Sequence, residues 1–105
     1  MRKPQTLLID NHEVVVTQTK EGEMIPHRGR DVRIGQAFEV SWDDQVIGTV
    51  ERRMVTRERR TSGRRYVDAR WESPGWVRRR SAGGRALECY TKRDGIEALL
   101  RAALR

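Results

Sequence analysis

The sequence predicts a small α+β domain: an antiparallel β-meander of three main strands, a further N-terminal hairpin, and one C-terminal amphipathic helix packed on one face. Two patterns lead to this fold class. Apolar and polar residues alternate through much of residues 36–72, as in half-buried strands, whereas residues 91–105 carry an apolar stripe with helical spacing. A chain of 105 residues is expected to form a single domain, with residues 36–105 as its core.

Residues 1–35 are expected to form an N-terminal hairpin followed by a polar loop. Two short β-prone runs, Thr6–Ile9 and Glu13–Thr17, flank a turn at Asp10-Asn11-His12. Residues 18–35 are polar and rich in glycine, glutamate and arginine, which is typical of a loop.

Three main strands are expected in the middle of the chain. The first is indicated by Phe38, Val40 and Trp42, which alternate with polar residues. The other boundaries follow from the intervening polar segments: a turn at Asp43–Gln45, a strand from Val46 to about Arg59, a turn at Thr61–Gly63, and a strand Arg64–Glu72 that ends at Ser73-Pro74-Gly75.

The register of these strands can be predicted from the turns. A three-residue turn at Asp43–Gln45 would pair Trp42 with Val46 and Phe38 with Val50. A two-residue loop at Ser62-Gly63 would place Met54 opposite Trp71. The shared core face would then carry Phe38, Val40, Trp42, Val50, Met54, Val67, Ala69 and Trp71, with Trp71 and Met54 buried against Leu99 and Leu100. The opposite face would pair Arg53 with Glu72, Arg57 with Asp68 and Arg59 with Tyr66.

The C-terminal helix is indicated by its start and by its periodicity. Thr91 is a favourable N-cap, and Asp94 three residues later completes a variant of the capping box. A single buried stripe is predicted from the i, i+3, i+4, i+7, i+8 spacing of Ile96, Leu99, Leu100, Ala103 and Leu104.

Positive charge is concentrated in the second half of the chain. Residues 1–51 hold 6 Lys/Arg and 9 Asp/Glu, a net charge of −3, whereas residues 52–105 hold 16 Lys/Arg and 6 Asp/Glu, a net charge of +10. Charge of one sign repels itself and favours a polyanionic partner. Nucleic acid is therefore the expected partner, with DNA favoured over RNA because an RNA site would need more exposed aromatic side chains than the sheet face offers.

The order of three strands and an amphipathic helix over residues 36–105 is similar to two groups of proteins. The residues that carry the resemblance are Val46–Arg53, Arg70-Trp71 and Thr91–Leu100. They resemble the small DNA-binding domains at the amino end of tyrosine integrases and in Apetala-type plant factors, and also small accessory proteins of actinobacterial phages. The resemblance to the DNA-binding domains implies that the exposed sheet face lies in the major groove.

Eleven residues are the candidate nucleic-acid contacts. The exposed sheet face would supply base contacts through Arg53, Arg57, Arg59, Tyr66 and Arg70, because arginine can donate two hydrogen bonds to guanine. Phosphates would be held by Arg60, Arg64 and Arg65 at the hairpin tip and by Arg78, Arg79 and Arg80 in a basic loop. The alternative for both groups is a charged surface that contacts only water.

A different class of function remains open: a module that binds and modulates an acidic host protein. The expected biological setting is a phage-encoded accessory or regulatory factor, cytoplasmic and associated with the nucleoid if it binds DNA, with a homo-oligomer left open. No enzymatic activity, cofactor or metal is expected, because His12, His27 and Cys89 lack ligand spacing and Asp43-Asp44 has the features of a turn. Cys89 is the single cysteine, and no apolar run is long enough to span a membrane.

Overall fold

The computed structural model describes residues 3–59 and 69–105, which form one antiparallel sheet and one helix. Neighbouring strands follow each other in chain order, so the sheet is a six-stranded meander. The elements are β1 (Gln5–Ile9), β2 (His12–His27), β3 (Arg30–Trp42), β4 (Gln45–Arg59), β5 (Ala69–Arg80), β6 (Leu87–Cys89) and α1 (Lys92–Ala103). The meander and the C-terminal helix are confirmed, but the sheet has six strands rather than three main strands and a hairpin.

Three hairpins of this sheet close through two-residue turns. Both central residues of each turn have positive φ, as a type I′ turn requires, and such turns match the right-handed twist of the flanking strands. Glycine, asparagine and aspartate adopt this conformation more readily than most residues. The turns are Asp10-Asn11, Arg28-Gly29 and Asp43-Asp44.

The turn at Asp43-Asp44 is one residue shorter than predicted, so the predicted partner of Trp42 is wrong by one residue. A β-bulge at Ile47 restores the alignment further along the ladder, because it adds one unpaired residue to β4. The predicted pair of Phe38 with Val50 is therefore confirmed.

Residues 18–35 were expected to form a loop, and that expectation is wrong, because they belong to the outer parts of β2 and β3. The ladder continues to the pair His27–Arg30, with one irregularity near Thr19. Gly22 and Gly35 occupy strand positions where apolar residues are common, and both have positive φ. A Cβ on Gly22 would lie 2.5 Å from the carbonyl oxygen of Ile34, so the close approach of the two strands requires glycine here.

The outer parts of β2 and β3 form a two-stranded ribbon, residues 20–36, that extends beyond the rest of the sheet. β3 pairs with β4 only between Ala37 and Trp42, and β1 pairs with β2 only as far as Val16. No residue of the ribbon is buried. It therefore lacks a neighbouring strand on either side among the described residues.

The register between β4 and β5 differs from the prediction by three residues. Met54 pairs with Pro74, and Arg57 pairs with Trp71. The prediction was wrong because β5 does not end at Ser73-Pro74-Gly75 but continues through it to Arg80. Proline is tolerated at this position because, in the described part of the chain, the outer edge of β5 has no neighbouring strand there.

A register that differs from the predicted one by an odd number of residues places the side chains of one strand on the other face of the sheet. Ala69 and Trp71 therefore lie on the face opposite α1, and the expected contact of Trp71 with Leu99 and Leu100 is wrong. Met54 stays on the α1 side but is only half-buried. The turn predicted at Thr61–Gly63 and the predicted core residue Val67 lie outside the described residues.

The segment between β5 and α1 also differs from the expected order of three strands and a helix. The end of β5 occupies Trp76–Arg80, and the short strand β6 pairs with Trp76, Val77 and Arg78. The basic loop predicted at Arg78–Arg80 is thus the end of a strand. No helix among the described residues is long and apolar enough to cross a membrane.

The helix α1 begins as predicted. The hydroxyl oxygen of Thr91 accepts a hydrogen bond of 3.1 Å from the backbone N–H of Asp94. Ile96, Leu99 and Leu100 are fully buried, whereas Leu104 remains 43% exposed and lies beyond the buried stripe. The prediction of one amphipathic helix is therefore confirmed, with a shorter buried stripe than expected.

One apolar cluster joins α1 to the central strands. Ile96, Leu99 and Leu100 belong to the same buried cluster as residues of β1, β2, β3 and β4. The helix approaches the sheet most closely at Gly48, where a Cβ would lie 2.5 Å from Cδ2 of Leu99 and from the carbonyl oxygen of Arg79. The remaining cluster members are Ile9, Val14, Val16, Phe38, Val40 and Val50.

Replacing Leu100 with alanine tests this core. Leu100→Ala should lower the free energy of unfolding by about 2–4 kcal/mol, since it removes buried methyl groups and leaves a cavity. Leu104→Ala, at the exposed C-cap of the same helix, should cost less than about 1 kcal/mol. Urea denaturation followed by circular dichroism measures both. Equal losses for the two variants would contradict the packing described here.

Candidate nucleic-acid interface

Three of the arginines predicted to read bases lie together on the sheet face opposite α1. Arg53, Arg57 and Arg59 occupy alternate positions of β4, so their side chains share this face. Arg70 does not join them, because its partner in the ladder is Glu58, which points to the α1 side. Four further candidates, Arg60, Arg64, Arg65 and Tyr66, lie outside the described residues.

Arg57 lies in β4, and its side chain contacts residues of the two strands β5 and β6. Its Nη1 lies 2.8 Å from Oε1 of Glu88 in β6, and its Nε donates a hydrogen bond to the hydroxyl of Ser73 in β5. The guanidinium crosses above Gly75, where a Cβ would lie only 3.4 Å from Nη2 of Arg57. Arg57 therefore helps to attach β6 to the sheet, and its Nε and Nη1 are both engaged.

Arg53 and Arg70 also have carboxylate partners. Nη1 of Arg53 lies 3.3 Å from Oε1 of Glu51, and Nη2 of Arg70 lies 2.9 Å from Oε1 of Glu58. Exposed ion pairs of this kind stabilise the fold little. They do, however, reduce the net charge that this part of the sheet presents to a polyanion.

Arg78, Arg79 and Arg80 were predicted to act as one phosphate-binding group, but the strand separates them. Successive side chains of β5 point to opposite faces, so Arg79 lies on the face away from α1. Arg78 and Arg80 lie on the same side of the sheet as α1 and line a groove beside it. The structure thus brings only two of the three together.

This groove is strongly basic, because five of its lining residues are arginines. It runs between the last two turns of α1 and the β5–β6 connection, with a volume of about 550 Å³. Ala98 and Ala102 line it from the helix, and no acidic residue does so. We call it the arginine groove, after its five arginines: Arg78, Arg80, Arg85, Arg101 and Arg105.

The charges of the arginine groove are mostly uncompensated. Among its five arginines only Arg101 forms an ion pair within the described residues, at 3.7 Å from Oε2 of Glu97. The C-terminal end of a helix carries partial negative charge, which stabilises the nearby Arg101 and Arg105. That effect supplies no hydrogen-bond acceptor to the guanidinium donors that line the groove.

Three of the five groove residues were not among the sequence-based candidates: Arg85, Arg101 and Arg105. A signal for two of them exists in the helix itself. Ala98, Arg101, Ala102 and Arg105 follow the spacing i, i+3, i+4, i+7, which places the first three on one face of α1, with Arg105 just beyond the end of the helix. That this face borders Arg78 and Arg80 depends on tertiary packing and could not be inferred from the spacing.

Cys89 lies in the core between β6 and α1 and does not have the environment of a reactive thiol. It is a free, buried cysteine, and its Sγ lies close to Gly95. Burial is the main cause that raises the pKa of the Cys89 thiol; Arg78 acts against it, and the carboxylates of Asp94 and Glu88 add to it. Within the described part of the chain, no group of three or more histidine, cysteine or acidic residues could hold a metal ion.

Comparison with protein-family models, with curated proteins and with solved structures finds no match for this chain.

The geometry separates two kinds of arginine. Those on the sheet face opposite α1 have carboxylate or hydroxyl partners at Arg53 and Arg57. Of those in the arginine groove, only Arg101 has a carboxylate partner within the described residues.

The environment of Cys89 predicts slow alkylation. At pH 8 iodoacetamide should modify the folded protein more slowly than the urea-unfolded chain, by more than about tenfold, because the raised pKa lowers the thiolate fraction and burial limits access. Mass spectrometry of quenched samples measures both rates. Similar rates in the two states would show that the cysteine is accessible and reactive.

Proposed function

We propose that this protein binds nucleic acid, with double-stranded DNA as the favoured partner, and that the arginine groove holds its phosphates. The observation that carries the proposal is the convergence of five arginines, and no acidic residue, on one groove. Phosphate oxygens accept hydrogen bonds but donate none. A surface that offers only donors and positive charge is complementary to them.

The charge of the groove argues for a ligand more strongly than the charge of the sheet face does. On the sheet face, Glu51 and Glu88 already compensate Arg53 and Arg57. In the groove, four of the five arginines have no carboxylate partner within the described residues. Like charges held together without compensation destabilise a fold, and a bound polyanion would remove that cost.

Base contacts, if DNA is the partner, would come from the ribbon formed by β4 and β5. A two-stranded ribbon fits the major groove, which is about 12 Å wide. Arg59 lies at the end of β4 and Arg70 near the start of β5, on opposite faces of that ribbon. A base contact by Tyr66 and phosphate contacts by Arg60, Arg64 and Arg65, which follow Arg59 in the sequence, belong to the same proposal.

The resemblance noted in the sequence suggests the biological setting: a phage-encoded accessory or regulatory factor acting on DNA in the cytoplasm. A second candidate, binding of an acidic host protein, is supported by a different observation. In the described residues the outer edge of β5 is unpaired from Ala69 to Gly75. Such an edge can accept a further strand from another protein through its backbone groups.

The salt dependence of DNA binding tests the groove. If all five arginines contact phosphates, the logarithm of affinity should fall with the logarithm of salt concentration with a slope of about −4 to −5. The triple variant Arg80→Gln, Arg101→Gln, Arg105→Gln should flatten this slope by up to about three units and weaken binding to all sequences alike. Fluorescence anisotropy with a labelled duplex at several salt concentrations measures the slope.

A control variant removes the same charge elsewhere. Lys20→Gln, Arg28→Gln, Arg30→Gln alters three exposed cations of the ribbon of β2 and β3 and should change the slope by less than about one unit. Equal effects of the two triple variants would mean that net charge, and not the groove, governs binding. Failure of the unaltered protein to bind any duplex at low salt would refute the DNA proposal and leave the protein-binding candidate.

A further inference from the structure

A second cavity lies at the open edge of β5, just beyond the end of β6. Its volume is about 370 Å³. It exists because β6 pairs with only three residues of β5, so the edge is uncovered from Gly75 towards Ala69. The residues that matter for its chemistry are Arg52, Arg57, Pro74, Trp76, Glu88 and Tyr90. We call it the edge cavity.

Flat apolar groups line the edge cavity. Tyr90 is 91% exposed, more than any other large hydrophobic residue among those described. Trp76 is half-buried, and the guanidinium carbon of Arg52 lies 5.6 Å from the centre of its ring. The ring of Tyr90 is exposed to solvent, and a tryptophan, a proline and a guanidinium group line the same cavity. Another flat ring can stack on such a surface.

The polar groups of the edge cavity differ from those of the arginine groove. The Arg57–Glu88 ion pair places both a donor and an acceptor at its wall. Nε of Arg52 is buried, and no hydrogen-bond partner for it is present in the described part of the chain. Glu88 would repel a phosphate, whereas the edge of a nucleobase carries donors and acceptors together and its faces are apolar.

The two cavities lie at the two ends of the short β5–β6 ladder and are close to each other. Leu87, opposite Arg78, borders the arginine groove, whereas Cys89, opposite Trp76, borders the edge cavity. Two residues along a strand span about 7 Å. A nucleic-acid strand that runs along this ladder would therefore pass both cavities.

We propose that the edge cavity binds an unpaired nucleobase, stacked on Tyr90 beside Trp76, while the adjoining phosphates lie in the arginine groove. This proposal rests on the nucleic-acid function proposed above. It assigns a preferred ligand: a nucleic acid in which an unpaired nucleotide adjoins a duplex, since a fully paired base is stacked inside its helix and cannot enter the cavity.

Two DNA ligands test the proposal: a paired duplex, and the same duplex with one bulged 2-aminopurine nucleotide. The protein should bind the bulged duplex about tenfold more tightly, since stacking of one base on an aromatic side chain supplies a difference of that order. Stacking should also quench the 2-aminopurine fluorescence. Anisotropy gives the two affinities, and fluorescence titration gives the stacking signal.

Variants of Tyr90 separate stacking from other contacts. Tyr90→Ala should abolish the preference and the quenching but leave the affinity for the paired duplex unchanged, whereas Tyr90→Phe should retain both. The exposed position of Tyr90 means that the fold should tolerate either change. Leu8→Ala, which truncates another exposed apolar side chain on β1, is the control and should behave as the unaltered protein.

The outcomes distinguish this inference from the function on which it rests. Equal affinity for bulged and paired duplexes without quenching would overturn the base-binding site and leave DNA binding by the groove intact. An equal loss of both affinities in Tyr90→Ala would make Tyr90 a general contact and would also overturn the inference. Absence of binding to either ligand would overturn both proposals.

Discussion

The packing of α1 against the central strands is the interaction on which the rest of the molecule depends. Leu99 lies against Gly48, and Ile96 and Leu100 complete a cluster that includes residues of four strands. This contact fixes the last turns of the helix beside the end of β5. The arginine groove is the gap that remains between them, so its shape is determined by apolar packing and not by the arginines themselves.

The sequence was most informative where one local pattern determined the structure. The stripe Ile96, Leu99, Leu100 and the cap at Thr91 correctly predicted α1, because helix periodicity is a property of consecutive residues. The pair Phe38–Val50 was also predicted, although the turn beside it was assigned one residue too long. The bulge at Ile47 compensated for that error.

The sequence was least informative where the structure depends on which segments, distant in the sequence, pair or pack with each other. The register of β4 with β5 was inferred from a short turn, but β5 runs through Pro74 to Arg80, and the buried Val77 lies in the part that was assigned to a loop. Residues 18–35 lack a regular apolar alternation because their ribbon buries no face. The arginine groove combines residues from β5, the β5–β6 connection and α1, and no local pattern indicates which of these segments meet.

The ribbon of β2 and β3 has a consequence for how cooperatively the protein is folded. Residues 20–36 contribute nothing to the apolar cluster and pair only with each other. Their opening would therefore disrupt the hydrogen bonds of one short ladder, while the sheet and helix around Phe38 and Leu99 keep every contact. Local unfolding free energies differ within a protein when contacts are distributed in this way. We therefore expect the ribbon to open at a lower free-energy cost than the part of the chain that carries both cavities.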